Sequence, residues 1–228
     1  MGPSYFNGLD WAQITREERA FCAELERRVR DDVDDFVDLL KHKAGLPADV
    51  MGPWNCAFEA CFYRDYLHRF RPKEKRKYSP KRTFDLALFG ENAIIVIEAK
   101  AAELFTADQA RVFERDRADI QNILGLDVEV YLVALASQVY FDNYDAIGRG
   151  AALAPFAGRR ISWQTVAKHY ENSPLLLRAC EVYDRSPVAI PYRKQERDVP
   201  GEIARLMAEI ELRERAIEVL KSIEPPKQ

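Results

Sequence analysis

A chain of 228 residues that is 47% hydrophobic and 31% charged has material for one substantial core, as a large domain or a domain with a helical appendage. Its net charge of −3 excludes a protein that is basic throughout. No apolar run approaches the roughly 20 residues needed to span a bilayer, so no membrane partner is expected.

Taken in chain order, the first helix is predicted to start at Thr15. "TREE" has the capping-box form, with Glu18 reaching back to Thr15. The helix continues through "DDVDDFVDLLKHK", carrying Phe21, Leu25, Val29, Val33, Phe36 and Leu40 on one line, until Gly45 and Pro47 end it. A second helix is predicted from Pro53 or Trp54 to about Phe70. Residues 64–82 follow as a basic segment, nine Lys or Arg against two acids. "RTFDLALF" and "AIIVIEAK" read as a hairpin around Gly90-Glu91-Asn92, the second arm apolar enough to be covered on both faces.

"TADQARVFERDRADIQNIL" predicts another helix, and "VEVYLVALAS" a buried strand parallel to the preceding one, because a helix intervenes. Residues 141–160 read as loop, then "SWQTVAKHYEN" and "SPLLLRACEVYDR" as short helices. A polar connection leads to an amphipathic helix over 201–228 with Ile203, Leu206, Met207, Ile210, Ile217 and Leu220 on its apolar side. This order predicts an α/β sandwich with a mixed sheet over residues 1–200, its core at about 53–137, and extra helices at both ends.

The four cysteines form no Cys-x-x-Cys pair and are expected to be reduced structural thiols. The opening residues lack the basic start and apolar block of a secretory signal, and the expectation is a cytoplasmic protein. The three histidines are scattered, and neither a zinc motif, a P-loop nor a dinucleotide fingerprint is found.

The hairpin carries Asp85, Glu98 and Lys100, three groups that are costly to bury. Glu98 and Lys100 are two apart and share a face of their strand. A register that pairs Gly90 with Ala93 sets Asp85 opposite Glu98 and Thr83 opposite Lys100, with cross-strand Cβ atoms roughly 4.5–5.5 Å apart. Two carboxylates that close repel, and a hard divalent cation such as Mg²⁺ relieves them, with the lysine free to hold a water or stabilise phosphate charge. The plainer alternative is an Asp85–Lys100 salt bridge at a sheet edge, against which the flanking "AIIVI" argues.

"FDLALF" followed by "IVIEAK" resembles the PD-(D/E)xK nuclease superfamily, which has the restriction-endonuclease-like fold. Its hallmark Asp and (Asp/Glu)-x-Lys fall on Asp85, Glu98 and Lys100, although Phe84 stands where many members have Pro. The resemblance implies a three-layer sandwich around an α-β-β-β-α-β core and phosphodiester cleavage with Mg²⁺, or Mn²⁺ as substitute. DNA is the implied substrate ahead of RNA, and a homodimer is a common arrangement.

Members often add a Glu from the helix before the hairpin, which implies a metal role for Glu59; a tyrosine or arginine partner would satisfy that carboxylate equally well. Some branches place a Gln on the next helix, which implies Gln109 at the scissile phosphate. "TADQ" is itself a capping box that would use Gln109 differently. Arg71, Lys73, Lys75, Arg76, Lys77, Lys81 and Arg82 lead into the Asp85 strand and are candidate phosphate contacts. The alternative function is a catalytically silent nucleic-acid-binding or assembly module on the same fold.

Overall fold

A computed structural model describes residues 17–73, 83–124, 128–147 and 150–185, together with Met207. The chain clusters into two units, Met1–Tyr192 and Arg193–Gln228. The helix expected over 201–228 lies outside the described residues apart from Met207.

The long N-terminal helix is two helices, α1 (Glu17–Asp31) and α2 (Val33–Ala44). The acidic run breaks it. Asp32 leaves the helical conformation at φ −154° and its side chain accepts the Asp35 N–H, capping α2. Gly45, at φ +68°, ends α2 in the left-handed conformation that favours glycine, its N–H donating to the Leu40 carbonyl.

The second expected helix is wrong at its start. Residues Asn55–Ala60 form a strand, β1, followed by a single π-helical turn (Phe62–Tyr66) and a short helix, α3 (Leu67–Phe70). Phe58, Phe62 and Tyr66 repeat at four-residue spacing, which imitates a helix in sequence. Pairing with β2 overrides that pattern.

The hairpin forms as expected. Strands β2 (Phe84–Phe89) and β3 (Ala93–Ala99) are antiparallel, with Leu86 opposite Ile97 and Phe89 opposite Ile94. Helix α4 (Ala107–Leu124) then crosses to β4 (Glu129–Ala136), which runs parallel to β3. The stretch read as loop contains helix α5 (Gln138–Ile147), two 3₁₀ turns and a short strand, β5 (Arg160–Ser162), parallel to β4. Helices α6 (Trp163–His169) and α7 (Pro174–Arg185) match the expected pair.

The result is a mixed α/β architecture with an open five-stranded sheet in the order β1-β2-β3-β4-β5. A hydrophobic core lies on each face. On one, Phe21, Leu25, Val29, Phe36 and Leu40 of α1 and α2 pack with Leu88, Ile95, Ile97 and Leu135, together with residues of α6 and α7. On the other, Phe113, Ile120 and Ile123 of α4 and Tyr140 of α5 pack with Ile94, Val96 and Leu132. β3 is covered from both sides and every one of its residues is buried. Its C-terminal end lies where the sheet changes from antiparallel pairing with β2 to parallel pairing with β4.

Candidate active site

Glu98, near the end of β3, and Lys100, the residue just after it, are 8% and 6% exposed. Charged side chains this covered need partners, and these have them. The Lys100 ammonium donates to Glu98 Oε1 at 3.3 Å and to the Ala99 carbonyl at 2.8 Å. The lysine's backbone is fixed separately. Its N–H donates to the Leu135 carbonyl at 2.8 Å, and its own carbonyl accepts the Trp163 indole N–H at 3.0 Å.

Asp85 joins them from β2. One of its carboxylate oxygens accepts the Ala99 N–H at 2.8 Å, which ties it to the residue between Glu98 and Lys100. The register therefore delivers what the sequence pattern anticipates: an aspartate from one hairpin arm meets a Glu-x-Lys from the other.

A fourth member was missed. Glu18 of α1 accepts the Ala101 N–H at 2.7 Å and brings its other oxygen to 3.6 Å from the Lys100 ammonium. Sequence reading assigned Glu18 to a capping box with Thr15, which lies outside the described residues. The signal was nevertheless present: Glu18 continues the buried line of Phe21, Cys22, Leu25 and Val29 at helical spacing. A carboxylate on an otherwise apolar stripe faces the interior.

The electrostatics bind these four groups together. Burial pushes the Glu18 carboxyl above its ordinary value; Lys100 pulls it down, while Asp85 pushes it further up. Burial works to lower the Lys100 pKa, yet the charges of Glu98, Glu18 and Asp85 outweigh it and leave the ammonium held more tightly than usual. Cys22, one turn along α1, stays a thiol: burial raises its pKa well above normal, and Asp85, Glu18 and Glu98 add to the rise.

Glu59 does not stand on the helix that the sequence suggested. Instead of a helical face with Phe62, Tyr63 and Tyr66, it occupies β1 at φ +49° and pairs with Arg19 at 2.7 Å. Gln109 serves the helix cap: its side-chain oxygen accepts the Thr106 N–H at 3.1 Å and its own N–H donates to the Thr106 hydroxyl at 3.2 Å. Asp116, on the buried face of α4, accepts the Tyr63 hydroxyl at 3.0 Å. Of the basic segment, Arg71 is half-buried and Lys73 exposed. Lys75, Arg76, Lys77, Lys81 and Arg82 lie outside the described residues.

Among the described residues, no group of three or more His, Cys, Asp or Glu side chains is gathered closely enough to hold a metal ion. The Lys100 ammonium lies between Glu98 and Glu18 and serves as their cation. The chemistry of Asp85 and Glu98 still suits a hard cation, since both offer only carboxylate oxygens. Glu98 is buried, and Asp85 and Glu18 are half-buried beside it.

No protein-family model, curated protein or solved structure matches this chain. What the site can do therefore rests on its own residues.

Proposed function

We propose that this protein is a metal-dependent nuclease with a restriction-endonuclease-like fold, hydrolysing phosphodiester bonds in DNA rather than RNA. The observation that supports it best is the meeting of Asp85, Glu98 and Lys100 at the end of a fully covered strand, joined by Glu18. A stability role alone is a poor reason for burying Glu98 and Lys100, with two half-buried acids beside them, where aliphatic side chains would pack.

In this reading Asp85 and Glu98 would hold Mg²⁺ or its substitute Mn²⁺, with water completing its shell, while Glu18 stays with Lys100 and the Ala101 N–H. Bound there, the ion would supply Lewis-acid stabilisation of charge on the phosphoryl and leaving oxygens. Lys100 is a donor and not a base. Its raised pKa keeps it an ammonium at neutral pH, so it orients the attacking water and stabilises developing negative charge. The Leu135 and Trp163 bonds to its backbone hold it in place, since loose positioning of a catalytic group is costly.

Nicking of supercoiled plasmid tests this. Cleavage should require Mg²⁺ and should fall by about 10²-fold or more in Glu98→Gln, a change that keeps the side chain's shape while removing its charge. Circular dichroism should show the variant folded. No Mg²⁺-dependent cleavage by the parent protein would remove the enzymatic reading. Salt-sensitive DNA binding without cleavage would then make this a silent nucleic-acid-binding module.

A further inference from the structure

Lys100 is buried at the floor of the site and turned toward Glu98, Ala99 and Glu18, so it can serve only the group that reacts. A polyanion approaching three carboxylates also needs a cation at the mouth. Arg19 is the candidate, because its partner Glu59 is set opposite Asp85 by the β1–β2 register. It follows Glu18 on α1, and its side chain is 59% exposed. A single nitrogen, Nη2, is engaged, donating to Glu59 Oε2 at 2.7 Å. Nε and Nη1 of the fork have no protein partner among the described residues.

Glu59 is unusual in its own right. It lies between the paired positions Phe58–Leu86 and Ala60–Phe84, across β1 from Asp85, yet its backbone is left-handed at φ +49°. A non-glycine residue in that conformation is strained, and such strain persists only where the surroundings impose it. Stability does not explain the arrangement, because ion pairs this exposed contribute little. What it achieves is restraint: an exposed guanidinium held through one nitrogen by a residue that the β1–β2 register sets opposite Asp85. Arginine suits this use because its fork can bond two groups at once.

We infer that Arg19 contacts a phosphate of the nucleic-acid backbone next to the scissile position, with Glu59 holding its guanidinium in place. This rests on the nucleic-acid reading of the site, and the test separates the two. Anisotropy of a labelled DNA duplex, titrated in EDTA at several KCl concentrations, gives affinity and its salt slope without turnover. Loss of one phosphate contact in Arg19→Gln should weaken binding and reduce the slope by about 0.9. Arg19→Lys should keep the parental slope, because the charge stays, but bind more weakly because the fork is gone.

Hydrogen exchange at the Ala101 amide, which donates to Glu18, reports separately whether α1 stays docked, and its protection should be unchanged. An unaltered slope in Arg19→Gln would overturn the inference while leaving the nuclease reading intact. Lost protection at Ala101 would make Arg19 a structural residue and overturn it as well. A parent protein with no salt-dependent DNA binding would remove both.

Discussion

At the turn end of the β2–β3 hairpin, neutral groups fit one another closely, whereas at the other end of the seven-residue β3 charged groups are pressed together under the same cover. In the turn, the Asn92 side chain accepts the Met51 N–H and donates to the Asp49 carbonyl, and the Glu91 N–H donates to the Met51 carbonyl. Gly90 lies so close that a Cβ there would meet the Met51 carbonyl at 2.5 Å and the Trp54 ring at 2.6 Å. At the site end, Lys100 balances carboxylates that would otherwise repel. The same strand thus serves adhesion at one end and stored electrostatic tension at the other. The second use is the one on which the proposed chemistry rests.

Removing the balance should produce the largest effect. Lys100→Met takes the ammonium from buried Glu98 and half-buried Glu18, and chemical denaturation at pH 7 should show a loss of roughly 3–5 kcal/mol. That deficit should narrow in acid, where protonation removes the uncompensated charge. A deficit independent of pH would mean that the lysine's packing, and not its charge, matters there. At the turn end, Gly90→Ala should cost about 1–3 kcal/mol, since backbone and an indole must both give way, with no comparable dependence on pH.

The smallest change should have the opposite sign. Burial raises the Glu18 pKa above the ordinary value of 4.5, so the unfolded chain ionises first as pH rises and folding is penalised at neutral pH. Below the ordinary value the carboxyl is protonated in both states and the penalty vanishes. Glu18→Gln should therefore be at least as stable as the parent at pH 7, with the gap closing in acid. Thermal unfolding across that range measures it, and a variant that is less stable at pH 7 would contradict the assigned tension.

The sequence was most legible where local chemistry and tertiary demand agree. The hairpin register followed from a two-residue turn between apolar arms, and it brought Asp85 to the Glu-x-Lys. Thr106 and Gln109 formed the capping box that their spacing allows. Reading failed where long-range contact overrode a local pattern. β1 alternates poorly in burial, so its aromatic spacing looked helical. Glu18 fits a capping box by spacing, yet its carboxylate is taken by the Ala101 amide 83 residues away. Glu59 was singled out as an acid among aromatics, but its backbone conformation and its bond to Arg19 depend on neighbours that sequence does not order. β5, only three residues long, carries too little pattern to announce itself.

An indole marks each end of this hairpin. The Trp54 ring closes over Gly90, and the fully buried Trp163 donates to the Lys100 carbonyl while meeting Phe21 of α1 edge-on at 6.2 Å. Trp163 thus touches the backbone of the lysine and the helix that carries Glu18. With Trp11 and Trp54 replaced by Phe, its ultraviolet emission becomes an optical gauge of that junction, responding to whatever loosens or tightens it without any label being attached.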